Sequence, residues 1–122
     1  MTKKERWILS EWLVAKDRTL AHTETLYYHQ YETPYAEVDL ILAPSDPTKP
    51  LTMVEVKGAT KLAAENLWGT SIVSRKQVSR LEKARWFIEL KSKRPVRLLL
   101  AVVDPPPSNR IRYFEAPFGG VV

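Results

Sequence analysis

The stretch VRLLLAVVD, Val96 to Asp104, constrains the fold most: apart from Arg97, every residue from Val96 to Val103 is apolar. A strand turns alternate side chains to opposite faces, so a continuously apolar strand has to be covered on both. Two segments with helical spacing can supply the covers. KERWILSEWLVAK carries Ile8, Leu9, Trp12, Leu13 and Ala15. SRKQVSRLEKARWFIELKSK places Val78, Leu81, Ala84 and Ile88 on one face, and Pro95 stops it. Between them, RTLAHTETLYYHQY mixes Thr, Leu and Tyr in a way that suits strands, with a bend near Glu24. Ala36 to Gly58, AEVDLILAPSDPTKPLTMVEVKG, reads as two strands joined by a proline-rich turn. PPPSN is a further turn and RIRYFEA a last, peripheral strand. The order αβββαββ predicts one α/β domain over residues 1–122, with a central mixed β-sheet flanked by helices.

Composition narrows the function classes. An apolar content of 44% is ordinary for a globular protein and argues against disorder. The absence of cysteine removes disulfides, thiolate nucleophiles and cysteine-based zinc sites, and fits a cytoplasmic setting. No run reaches the length of a membrane span, and MTKKERWILSEW lacks the uncharged core of a signal peptide, so no membrane partner is expected. Four scattered glycines make no phosphate-cradling loop, and His22 and His29 have no metal-motif spacing. The four tryptophans read as core or interface residues. Trp68, beside Gly69 in the irregular segment after the hairpin, is the one placed to meet a ligand. Charge is uneven: Arg75 to Arg97 holds nine basic residues against two acidic ones, an excess of seven in a chain of net charge +5, so the remainder is net −2. Such a segment is either a solvated helix face or a contact for a polyanion.

The hairpin can be read residue by residue. Its turn chemistry centres near Pro47, so antiparallel partners have residue numbers summing to about 94. Val38 then faces Val56, and Leu40 faces Val54, on the core side. On the other side Ile41 meets Met53, Asp39 meets Glu55, and Glu37 meets Lys57. Opposed side chains lie about 5 Å apart at Cβ, so two carboxylates there repel unless something positive lies between them. Glu37 and Lys57 make an ordinary salt bridge; Asp39 and Glu55 do not. The pair is either a solvent-facing accident of register or a site for a hard divalent cation, which takes a few carboxylates plus waters. Glu-x-Lys alone carries no weight, since the second helix holds the same triplet at Glu89 and Lys91.

An Asp on one strand, Glu-x-Lys on the next and then a helix carrying Gln resembles the PD-(D/E)XK nuclease superfamily. More closely, the chain resembles the YraN-type family of small, largely uncharacterised bacterial proteins. AEVDLI is similar to that family's Gly-Glu-Ile-Asp-Leu-Ile strand, and MVEVK to its Phe-Val-Glu-Val-Lys or -Arg strand. SRKQVSRLEKARWFI is similar to its helix with Ser-Lys-Gln, then Ala and an aromatic–apolar pair. VRLLLAVVD and EAPF compare with its closing strand and short Ala-Phe tail. The chain departs from the pattern at Ala36, usually Gly, at Gly58-Ala59, often a small residue then Arg, and in lacking an Asp within RLLLAVV.

The resemblance implies a restriction endonuclease-like three-layer core and a Mg²⁺- or Mn²⁺-dependent endonuclease hydrolysing DNA phosphodiester bonds, on branched or flexible structures, with a homodimer admitted. Asp39 and Glu55 would ligate the metal with the Val56 carbonyl, and Lys57 would position or activate the attacking water. The first-helix carboxylate of the family is matched to Glu5, with Glu11 as its rival. Gln77 corresponds to the helix glutamine of junction-cleaving relatives, although Ser74 to Gln77 is equally a capping box. Arg75, Lys76 and Arg80 at the same helix start would face phosphates. A catalytically quiet nucleic-acid-binding module of the same fold, or a protein whose basic helix binds an acidic protein surface, are the competing expectations.

Overall fold

The computed structural model describes residues 2–58 and 73–116. Its elements are α1 (Lys3–His22), β1 (Glu24–Glu32), β2 (Glu37–Pro44), β3 (Leu51–Gly58), α2 (Arg75–Ser92), β4 (Val96–Val103) and β5 (Ile111–Glu115), in the order the sequence predicts. The strands form one mixed sheet, β1-β2-β3-β4-β5, in which β3 and β4 are parallel and the other neighbours antiparallel. Residues 59–72, with Trp68 and Gly69, and the tail 117–122 fall outside the described residues. Among the described residues no helix is long and apolar enough to cross a membrane.

One helix covers each face of the sheet. Leu81, Ala84 and Ile88 of α2 pack on Ile41, Met53 and Phe114, while Val14 and Ala15 of α1 pack on Leu40, Val54 and Tyr113. β4 divides as a doubly covered strand must: Leu98, Leu100 and Val102 lie on the α2 side, and Leu99, Ala101 and Val103 on the α1 side. Side-chain oxygens cap both helices. Thr2 Oγ1 accepts the Glu5 N–H at 3.1 Å, and Ser74 Oγ accepts that of Gln77 at the same distance.

α1 differs from its sequence reading in length and in face. It continues through Arg18–His22, which the sequence reading gave to a strand, and stops at Thr23 in the left-handed conformation. The residues it buries are Glu11, Val14, Ala15 and Arg18, whereas Leu9 and Trp12 are exposed. The reason is pairing. Glu11 and Arg18 lie on the sheet-facing stripe because β1 supplies each with a partner, His29 for one and Glu24 for the other. The described tryptophans are not core residues either, since Trp7, Trp12 and Trp86 are all about half exposed.

The β2–β3 hairpin keeps the predicted register for Leu40↔Val54, Ile41↔Met53 and Leu42↔Thr52, and there the ladder ends. Val38 and Val56 do not face each other: Val38 packs on the α2 side and Val56 on the α1 side. The expected Glu37–Lys57 salt bridge is likewise missing among the described residues. Beyond Leu40, β2 leaves β3 and stays with β1, pairing as far as Glu32↔Glu37. The sheet therefore splits between its second and third strands.

Candidate active site

The split is made by residues on both of its flanks. Asp39 accepts the Val56 N–H through Oδ2 at 2.8 Å, so a side chain replaces the ladder bond that a paired strand would have given. A strand residue offers its N–H and C=O to the same neighbour, so the Val56 carbonyl also turns toward the gap. In β1, Gln30 lies opposite Asp39, between the pairs His29↔Leu40 and Tyr31↔Val38, and adopts φ 56°. That left-handed backbone costs a non-glycine residue about 1–2 kcal/mol. Both β1 and β2 are thus irregular at the level where the sheet opens.

Into this opening the fold brings Asp39 and Glu55, both buried, with their carboxyl groups within hydrogen-bonding reach. They meet across the split rather than as ladder partners. Burial, then the hydrogen bond and negative charge of Asp39, push the Glu55 carboxyl well above its ordinary value of 4.5, against the opposing pull of Lys57 and of the Gln77 amide. Gln77 Nε2 donates to Glu55 Oε2 at 3.2 Å. Gln77 therefore reaches the two carboxyls, while its backbone N–H takes the Ser74 cap; among the described residues its side chain makes no return bond to the Ser74 backbone, so the N-cap forms without the reciprocal half of the expected capping box. Among the described residues no ion pair reaches Asp39 or Glu55.

The carboxylate on α1 that lines this cleft is Glu11, not Glu5. Glu5 is exposed in the first turn and borders neither cavity around the split. Glu11 is buried, and its Oε1 is held by His29 Nε2 at 2.6 Å and Gln30 Nε2 at 3.2 Å. Burial first, and the Asp39 charge second, raise its pKa. The Trp12 ring lies on the His29 ring, their centroids 4.6 Å apart. His29 and Gln30 had no signal in the sequence, because their role depends on a contact with a residue eighteen or nineteen positions away. The backbone bend that aims Gln30 has no glycine to mark it. The decoy triplet resolves structurally: Glu89 accepts the Val96 N–H at 3.0 Å, tying the end of α2 to β4.

Two cavities adjoin the carboxylates. The larger, about 830 Å³, has Lys3, Lys4, Trp7 and Glu11 on its α1 wall and Asp39 and Lys57 on the sheet. The smaller, about 380 Å³, has Tyr35 and Ala36 on one wall and Lys76, Gln77 and Arg80 of α2 on another. Of the three basic residues at the α2 start, Lys76 and Arg80 line a cavity and Arg75 does not.

A hard divalent cation fits this donor set on chemical grounds. The available atoms are oxygens, and the two acidic groups press on each other with the Lys57 charge only partly offsetting them and, among the described residues, no ion pair to either. Among the described residues no group of three or more His, Cys, Asp or Glu is placed to hold a metal. The compact donor set is the Asp39–Glu55 pair with the Val56 carbonyl, and magnesium or manganese typically completes such a set with water. No protein-family model matches the sequence, and no curated protein matches it.

Proposed function

We propose that the protein is a restriction endonuclease-like, metal-dependent nuclease that hydrolyses DNA phosphodiester bonds. The observation that carries this reading is the meeting of Asp39 and Glu55 where β2 and β3 part, with Lys57 following Glu55 on the same strand. Asp39, Glu55 and the Val56 carbonyl would hold Mg²⁺ or Mn²⁺, with Glu11 nearby. When bound, the ion supplies charge to stabilise the scissile phosphate and to acidify water. The chain's own groups do the rest. Lys57 emerges on the same face as Glu55, two residues on, and positions or activates the attacking water. Gln77 orients the Glu55 carboxyl through its amide. Lys76 and Arg80 neutralise flanking phosphates at the N-terminal end of α2, which itself favours anions.

Hydrolysis of branched and flap DNA in Mn²⁺ tests the reading. Wild type is expected to cleave, with Glu55→Ala and Lys57→Ala slower by roughly 10²- to 10⁴-fold, the range for loss of a positioned acid–base or electrostatic group. Cleavage that survives in both variants belongs to a contaminant and defeats the proposal. In parallel, Mn²⁺ should raise the Tm of wild type and leave that of Asp39→Ala unchanged. Salt-sensitive DNA binding without any cleavage would assign the fold to a quiet binding module instead.

A further inference from the structure

We infer that the cleft is a groove for one unpaired DNA strand, with Trp7 and Tyr35 as stacking platforms on either side of the carboxylates. The inference rests on the reading above for the polyanionic nature of the occupant and adds which form of DNA it takes.

The two cavities share Glu37, Glu55 and Gln77 among their walls. They therefore lie side by side along these residues, as two lobes of one groove would. Each lobe sets an aromatic ring in company with cations. The α1 lobe has Trp7 with Lys3, Lys4 and Lys57, and the α2 lobe has Tyr35 with Lys76 and Arg80. Folding accounts for little of these rings: Tyr35 sets an edge against Phe87, their centroids 6.5 Å apart, and otherwise both are open. Trp7 is 50% exposed, Tyr35 is 40% exposed, and neither belongs to the packed clusters on the two sheet faces. Trp12 and Trp86 are as exposed but line neither lobe, and Trp12 already spends one face on His29. Trp7 lies one helical turn before Glu11, about 6 Å along the axis of α1, so its ring flanks the carboxylates directly.

Cations alone would suit duplex and single strand alike, because both present phosphates. The rings break that tie. Aromatic faces accept bases only when those bases are free of their neighbours in a stack, and they do so with little regard to sequence, since every base has a π-face. A duplex keeps its base faces covered and gains nothing from Trp7 or Tyr35. The substrate class that uses the whole groove is therefore an unpaired strand: a flap, a tail, or the open arm of a branch.

Fluorescence anisotropy on the full chain in EDTA, with end-labelled oligothymidylate against a hairpin duplex of equal charge, tests this without any cleavage. The single strand should bind more tightly, with affinity falling as salt rises. Trp7→Ala and Tyr35→Ala should each weaken it roughly 5- to 100-fold, leaving duplex affinity unchanged. Trp7→Phe should keep most of the affinity, and Trp86→Ala, away from the groove, all of it. Single-strand affinity in both alanine variants equal to wild type, or tighter binding of the duplex, overturns the inference. The two proposals fail separately. A protein that binds single strands through Trp7 but never cleaves refutes the hydrolase and keeps the groove. Glu55-dependent cleavage of single strands that is indifferent to Trp7 and Tyr35 does the reverse.

Discussion

α1 buries two charged residues, Glu11 near its middle and Arg18 in its C-terminal half, and the two are treated in opposite ways. Toward the C-terminal end, Arg18 Nε donates to Glu24 Oε1 at 2.5 Å, Thr52 donates to the other Glu24 oxygen, and the guanidinium lies 4.9 Å from the centroid of the Tyr113 ring. The Tyr113 hydroxyl in turn donates to Asp17 at 2.6 Å, and burial and that carboxylate push its pKa upward. That cluster is complete: its carboxylate meets a cation the chain itself provides. At the cleft, Glu11, Asp39 and Glu55 are gathered with a histidine and two amides but, among the described residues, without an arginine or lysine ion pair. Both clusters contain buried acids on the same helix and sheet. The difference lies in whether the protein's described residues pair the buried acid with an arginine or lysine, and it separates a cluster that holds the fold together from one that stores unfavourable electrostatics.

Removing the cation of the complete cluster should have the largest effect on stability. Arg18→Ala leaves Glu24 buried and unpaired, and a loss of about 3–5 kcal/mol is expected in denaturant unfolding. Adding Glu24→Gln should restore part of it, because the neutral amide needs no counter-charge. Recovery is the informative part, since it converts Glu24 from a partner into a Glu55-like burden and then relieves it.

Glu55→Gln should act in the opposite direction. The folded protein holds the Glu55 carboxyl at a raised pKa, so its contribution to stability is fully present below the ordinary value of 4.5 and is lost as pH rises through the folded value. In EDTA the variant should therefore be more stable than wild type above that window, on the order of 1–3 kcal/mol, and the two should converge toward pH 4.5. Melting curves across pH measure this directly. A variant less stable than wild type at neutral pH would mean that the two clusters are alike after all.

The smallest effect belongs to a residue that only steadies the open cluster. His29→Ala removes one of two hydrogen bonds on Glu11 Oε1, and about 0.5–1.5 kcal/mol of stability should go with it. A loss as large as that of Arg18→Ala would show that His29 compensates Glu11 as fully as Arg18 does Glu24.

The sequence made the layers legible because apolar periodicity is a local signal. The doubly covered β4, the α2 face of Leu81, Ala84 and Ile88, and three pairs of the β2–β3 register all follow from it. It failed wherever a buried polar residue depended on a distant partner. Arg18 looked like the start of a strand because its reason for being in a helix, Glu24, lies beyond the helix end. Glu5 was preferred over Glu11 because spacing along one helix cannot reveal that His29 and Gln30 are waiting on β1. The Asp39–Glu55 meeting was anticipated for a reason only half right. Register arithmetic assumes that strands stay paired, and it cannot foresee that a carboxylate will take over a backbone bond and let its strand depart.

That replacement has a further consequence. Past Val54, β3 has no ladder partner on its β2 side among the described residues, and an open edge invites other strands to add to it. Asp39 occupies the Val56 N–H, a donor such an intruder would need. The same carboxylate that shapes the cleft thereby takes that donor away from any added strand.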